Sequence, residues 1–439
     1  MQKSSVMKVV NQSPLNVAVH LSLCILISAC FWLNYYHQAE QGTWSRHCAI
    51  AGEIVNSMQY SYDSNHGVAT YPIWGYPILV AAMKYLFGAS FVFWILLFQY
   101  FLFLISLFIV YRCCEIPDLD STLRLFLFYG LLFYYAMILS VKWPDGIVAF
   151  LVFLAGLFHI RQKYIHALIM LLISCNFRPE GLFFSAFYLI CVFASIRISR
   201  PFPIRSLMAI VIACAGILLP WPAYQYCHGG QFLLSSTNGG GVLYISLGQL
   251  PNNRWHRAYD DKAAGDYARD HGIEDPFGVP ANEILTRQFV QDIERYPVEF
   301  IKKIAFNSIL CATGGLYSPE FRTSPDDYDA NLRLSNIYES TSVAQIASKL
   351  FTMHGIMAIF ASVFFLVLLV YSVLFFDFRD TAVLPMFSLI FIQIALCAFI
   401  QYQPRFMSHV IGLFVLILYM DKKSRKLFPT RRIEIQACV

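Results

Sequence analysis

The sequence predicts an all-α integral membrane protein, a polytopic bundle of about ten transmembrane helices with two long loops on the outer side. Three observations carry that prediction. Hydrophobic residues fill 58% of the 439 positions, and charged residues only 13%, about half of what a soluble domain carries. The apolar residues are gathered into long runs with almost no charge, the pattern that crossing a bilayer requires. The cations between those runs alternate in number, as they do when every second loop faces the cytoplasm. The net charge of +5 is not a nucleic-acid signature, because the basic residues sit in short clusters between apolar runs.

The spanning candidates, in order, are Leu15–Tyr36, Ser90–Tyr111, Leu125–Val141, Ile147–Ile160 and Ile165–Phe177. Leu182–Ile196, Leu207–Tyr226, Met353–Phe376, Val383–Ile400 and Phe406–Met420 follow. Lys3 and Lys8 precede the first run, which is long enough to span and reads as an uncleaved first helix. Tyr76–Phe87 is apolar but short and carries Lys84, so it is assigned to an interfacial or re-entrant segment.

With the N-terminus inside, the cytoplasmic segments hold Lys3 and Lys8, Arg112, Arg161 and Lys163, and Arg197, Arg200 and Arg205. The basic tail from Lys422 to Arg432 is also cytoplasmic. The short outer loops carry Lys142, Arg178 and Arg405. Both termini are therefore expected in the cytoplasm. Four regions follow: a membrane core over 1–226 with a first outer loop at 37–89, a long outer region over 227–352, terminal helices over 353–420, and the tail 421–439. Within 227–352, Asn282 to Tyr296 has apolar residues at helical spacing (Ile284, Leu285, Phe289, Val290, Ile293) until Pro297 interrupts it.

The twelve cysteines form no framework. Six of them (Cys24, Cys30, Cys175, Cys191, Cys214 and Cys397) lie inside apolar runs, where a thiol behaves as a small hydrophobe. Cys48, Cys227 and Cys311 occupy positions that permit a disulfide. No CxxC pair suggests zinc, and His66, His228 and His409 lack ligand spacing, so no metal site is expected. A divalent ion remains compatible with the chemistry below but nothing in the sequence supports one.

Four outer segments carry a resemblance. They are Tyr71-Pro72-Ile73-Trp74-Gly75-Tyr76-Pro77, Trp143-Pro144-Asp145, Arg178-Pro179-Glu180-Gly181 and Gln403-Pro404-Arg405-Phe406. A fifth lies in the long loop, where Thr237 to Tyr244 precedes an Asp-rich stretch, Arg295-Tyr296-Pro297 and Lys302-Lys303. In order and in shared side of the membrane, these segments resemble the GT-C glycosyltransferases, in particular the protein O-mannosyltransferases and the lipid A aminoarabinose transferases. The resemblance covers most of residues 1–430.

It implies a GT-C-like bundle that transfers sugar from a polyprenyl-phosphate donor, with inversion, to a glycan, lipid or protein acceptor at the outer face of the bilayer. It also implies a catalytic Asp soon after the first helix. No Asp lies between residues 37 and 62. Glu40, with Trp44 four residues on and Ala49-Ile50-Ala51 beyond, is the best match, whereas counting back from Tyr60 places Thr43 there.

Such chemistry needs a carboxylate to take the acceptor's proton and fixed cations for the leaving phosphate. Glu40 and Asp145 are the candidate catalytic carboxylates. Arg405, Arg178 and Lys142 are the candidate phosphate ligands, and Trp74 and Tyr76 the candidate substrate contacts. Each has a structural alternative. Asp145 follows Pro144 and can cap a helix. Arg178 and Glu180 can pair across a hairpin, and Trp74, Tyr76 and Trp143 can be interfacial belt residues. An O-antigen polymerase or ligase, an inactive GT-C scaffold and a transporter or flippase are the competing functions. The absence of a eukaryotic retention pattern favours a bacterial inner membrane.

Overall fold

The computed structural model describes residues 43–62, 73–114, 144–197, 204–313 (without 231, 235, 251 and 258), 383–400 and 406–417 (without 408), with 22, 363 and 366–370 besides. The expected spans Leu15–Tyr36 and Leu125–Val141, and most of Met353–Phe376, lie outside them.

Among the described residues the protein is all-α, with no β-strand. The helices are α1 (Thr43–Ser57), α2 (Gly75–Phe87), α3 (Phe91–Cys114), α4 (Asp145–Ile160), α5 (Tyr164–Cys175), α6 (Glu180–Arg197), α7 (Ile204–Leu218) and α8 (Pro220–Gly229). They continue as α9 (Gly239–Ser246), α10 (Asp261–Asp270), α11 (Val279–Arg295), α12 (Pro297–Thr313) and α13 (Leu384–Phe399), and end in a helical stretch over 409–417.

Two helical stretches, Gly75–Ser106 and Leu207–His228, are long and apolar enough to cross a membrane. Helices α4, α5, α6 and α13 are apolar and shorter. The segment Tyr76–Phe87, read from the sequence as interfacial or re-entrant, is helical, and the single turn Gly88–Ser90 joins it to α3. Gly88 has a φ of 54°, a left-handed conformation that suits glycine. The expected span Leu207–Tyr226 divides into α7 and α8 at Leu219, because Pro220 and Pro222 remove two backbone donors.

The main core joins α4, α5, α6, α13 and 409–417. Val148, Ala149, Val152 and Phe153 of α4 are buried against Val410, Ile411, Leu413 and Phe414. The terminal stretch is thus central to the bundle although it comes last in sequence.

Of the long region expected over 227–352, residues 227–313 are described in large part, and they are mostly helical. Helices α9, α10 and α11 close a small core of their own from Tyr244, Ala264, Ala268 and Leu285. The amphipathic pattern read over Asn282–Tyr296 is α11, which buries Ala281, Leu285 and Phe289. Helix α12 fastens this unit to the main bundle. Lys303 Nζ donates to the carbonyl oxygens of Phe399 and Ile400 at 2.5 Å each, and Asn307 donates to those of Cys397 and Ala398 at 3.2 and 3.3 Å. Those carbonyls end α13, where a helix has no intrahelical donors left and carries negative partial charge. No disulfide joins Cys48, Cys227 and Cys311 among the described residues.

Candidate functional site

Two glycines of the sequence motifs set the geometry. The N–H of Gly75 donates to the carbonyl of Asn176 at 2.8 Å, and a Cβ at Gly75 would stand 2.3 Å from that oxygen. A Cβ at Gly181 would stand 2.5 Å from both the Cys175 nitrogen and Ser174 Oγ. Any side chain at either position would push the start of α2, or of α6, off the end of α5. Glycine therefore allows the α5–α6 turn, with Arg178 in it, to meet the N-terminus of α2.

From that turn Arg178 Nη2 reaches Asp145 Oδ2 at 2.6 Å. Asp145 is the first residue of α4, 1% exposed, where the helix dipole favours a carboxylate. Its other oxygen lies 3.1 Å from His409 Nε2. The Arg178 guanidinium also stands 5.3 Å from the centre of the Phe406 ring. Side chains at the ends of α4, the α5–α6 turn and the last helix thus meet at one buried carboxylate.

His47 of α1 extends the cluster. It is 3% exposed, and its ring meets that of Tyr76 edge-on at 5.0 Å. Burial, then the charges of Arg178 and Arg46, push its pKa down to about 3, so it is neutral at pH 7. Tyr76 is fully buried and its hydroxyl accepts from Gln99 Nε2 at 3.1 Å. Nδ1 of His47 and Nδ1 of His409 are both buried without a partner among the described residues.

Of the residues singled out from the sequence, Asp145, Arg178 and Tyr76 share this cluster. Trp74 stands apart from it. With Tyr60, Trp221, Tyr224, Met58 and Ile78 it lines a cavity of about 270 Å³. Glu40, Arg405, Lys142 and Trp143 lie outside the described residues. Asp145 does not cap α4 through its side chain, and the partner of Arg178 is Asp145, 33 positions away, and not Glu180.

His47 and His409 escaped the sequence reading. A lone His in a loop carries no signal, and His409 was weighed only as a metal ligand. Its spacing of four from Arg405 in the sequence, the spacing of neighbours on a helix face, was the available clue. Among the described residues no group of three or more His, Cys, Asp or Glu side chains has metal-holding geometry.

No protein-family model matches the chain, and neither a characterised protein nor a solved structure does.

Proposed function

We propose that the chain is a polytopic membrane glycosyltransferase, built on about ten spans, that moves a sugar from a polyprenyl-phosphate donor to an acceptor on the outer side. One observation carries this reading. Four segments separated by long stretches of sequence, around Gly75, Asp145, Arg178 and Phe406, converge on one buried carboxylate–guanidinium pair at a single end of the bundle. A lipid-linked phosphate lies at the membrane surface, and helix ends on one face are where its ligands belong.

In the transfer, the acceptor oxygen forms a bond to the anomeric carbon as the bond from that carbon to the phosphate oxygen breaks. The acceptor's proton passes to a carboxylate, and polyprenyl phosphate leaves with the bonding pair. Arg178 stabilises that developing charge, with Arg405 and Lys142 as its expected companions. Both oxygens of Asp145 are engaged, by Arg178 and by His409, which leaves little capacity to accept a proton. Its role in this reading is to hold Arg178 in place, and Glu40 is the base. No metal enters the scheme.

The test is release of polyprenyl phosphate from a panel of labelled polyprenyl-phosphate hexoses by the purified protein in proteoliposomes, with a lipid and glycan extract as acceptor. Turnover that vanishes in Arg178→Ala and in Glu40→Gln supports the reading. A panel with no turnover, or turnover indifferent to Arg178, overturns it. The topology has its own test. Asp270, exposed in α10, is replaced by Cys with Cys227 changed to Ser, and an impermeant maleimide is applied to intact spheroplasts. Labelling is expected, and labelling only after the membrane is broken would reverse the orientation.

A further inference from the structure

Helix α12 carries Lys303, Asn307 and Cys311 at intervals of four residues, the spacing of neighbours on one helix face, and all three are buried. The first two hold the last turn of α13, Lys303 at the carbonyls of Phe399 and Ile400 and Asn307 at those of Cys397 and Ala398. Moving forward along α12 is therefore moving backward along α13, so the two helices are antiparallel. One turn beyond Asn307, Cys311 comes level with the turn of α13 that runs from Gln393 to Cys397. Side-chain direction closes the gap that remains. In an α-helix the Cα–Cβ bonds lean toward the N-terminus, so Cys311 leans back toward Cys397 while Cys397 leans back toward Cys311. The amide of Gln393 donates to Cys397 Sγ at 3.5 Å, which places that sulfur on the N-terminal side of its own Cα. The Cys311 thiol is a hydrogen-bonding neighbour of the same sulfur. Both cysteines are 1% exposed and lie in the main core, and no disulfide joins them in this structure. The sequence marks Cys311 as able to form a disulfide and hides Cys397 inside an apolar run; the packing of α12 on α13 brings the two together.

We infer that Cys311 and Cys397 are a disulfide-forming pair, oxidised by a disulfide-bearing co-reactant, whose bond staples the unit of α9, α10 and α11 to the bundle through α12. The co-reactant is a thiol–disulfide oxidoreductase or a small-molecule disulfide. The thiolate of one cysteine attacks it, a mixed disulfide forms and one thiolate of the co-reactant leaves. The thiolate of the other cysteine then attacks the cysteine sulfur of that mixed disulfide, the Cys311–Cys397 bond forms and the second thiolate leaves. The two cysteines lose two protons and two electrons, and the co-reactant is reduced to a pair of thiols. Both sulfurs are shielded once α12 is packed, so the exchange precedes its docking and the finished bond is protected from reductant. The supply of oxidant rests on the orientation proposed above, which puts α12 on the side of the membrane where disulfides persist.

Peptide mass spectrometry on the full-length protein, isolated from membranes without reductant and blocked with N-ethylmaleimide in denaturant, tests this. The peptides holding Cys311 and Cys397 should be recovered cross-linked and without maleimide, and each should take up maleimide when reduction precedes blocking. In Cys311→Ala, Cys397 should take up maleimide without reduction. Reductant should lower the melting temperature of the wild type by roughly 5–10 °C and leave that of Cys311→Ala unchanged. Maleimide on both cysteines before reduction, in protein that the Asp270→Cys labelling places outside the cytoplasm, overturns the inference. A second arm separates it from the proposed orientation. Wild type is reduced in denaturant and returned to detergent with oxidised glutathione. The cross-link should form there whichever way the chain faces in the cell, and separate glutathione adducts on Cys311 and Cys397 in its place overturn the pairing. A reversed Asp270→Cys labelling with the cross-link formed in this arm would sink the orientation and leave the pair standing.

Discussion

Two of the arginine–aspartate pairs among the described residues, both largely shielded from solvent, are built differently. In the unit around α9, α10 and α11 Arg257 Nη2 meets Asp292 Oδ2 at 3.0 Å. Its Nη1 also donates to the Tyr244 hydroxyl at 2.6 Å. The second oxygen of Asp292 accepts from Gln288 at 2.9 Å, and its backbone carbonyl accepts from the Trp255 indole at 2.7 Å. Every partner comes from within one short region of sequence. The pair formed by Arg178 and Asp145 draws instead on segments up to 264 positions apart and is ringed by imidazole nitrogens that lack partners. A knot whose groups satisfy one another holds a fold together. A knot assembled from distant helix ends with polar atoms left over is where a ligand is expected to complete the set.

The largest expected effect divides the two pairs. Asp145→Asn and Asp292→Asn each leave a partly buried arginine without its counter-charge, and each should cost about 2–4 kcal/mol of stability. Transfer by the molecules that remain folded should fall about a hundredfold or more in Asp145→Asn and stay near wild type in Asp292→Asn. Turnover normalised to the folded fraction, with melting temperature measured in parallel, checks this. Equal losses of turnover would erase the distinction.

A somewhat smaller effect is expected at the backbone contact that assembles the first pair. Gly75→Ala puts a Cβ within van der Waals radii of the Asn176 carbonyl, 2.3 Å away, and should cost about 1–3 kcal/mol with a disproportionate loss of transfer. Gly265→Ala, in α10, meets Pro276 at an ordinary 3.6 Å and should do neither. Thermal unfolding of the two variants makes the comparison.

How much of this was legible follows from what local sequence can carry. Lone charges at the ends of apolar runs pointed to Asp145 and Arg178, because such a charge needs a reason to stand at membrane depth. Their pairing was not legible, since sequence proximity favoured Glu180 as the partner of Arg178. The close approach set by Gly75 and Gly181 decides otherwise, and only three-dimensional packing reveals it. Helix α11 was legible because one face of one segment supplies its buried residues. The unit around it was not, because Tyr244, Ala268 and Leu285 come from three short helices, none with enough period alone. His47 and His409 have no local pattern at all.

The smallest effect separates the pairs by pH. Burial pushes the pKa of His47 in the folded protein down to about 3 from the usual 6.5, so between those values the unfolded chain binds the extra proton. Stability is therefore complete above about pH 6.5 and is lost as pH falls toward 3. The loss between pH 7 and pH 5 should be about 2 kcal/mol, and His47→Phe should flatten it. Denaturant unfolding at the two pH values tests the shift, and an unchanged slope in His47→Phe would assign the acid sensitivity elsewhere.

The central claim is that the pair formed by Arg178 and Asp145 is a phosphate site and not a second structural knot. The most direct measurement is the affinity of a short-chain polyprenyl phosphate, with the corresponding alcohol as control, for wild type, Arg178→Lys, Arg178→Ala and Arg257→Ala. A planar guanidinium already bound to a carboxylate is not replaced by an ammonium without loss. The phosphate should thus bind progressively more weakly from wild type to Arg178→Lys to Arg178→Ala. Arg257→Ala should bind as wild type does, and the alcohol should not distinguish the four proteins. Equal phosphate affinity in wild type and in a folded Arg178→Ala would contradict the account.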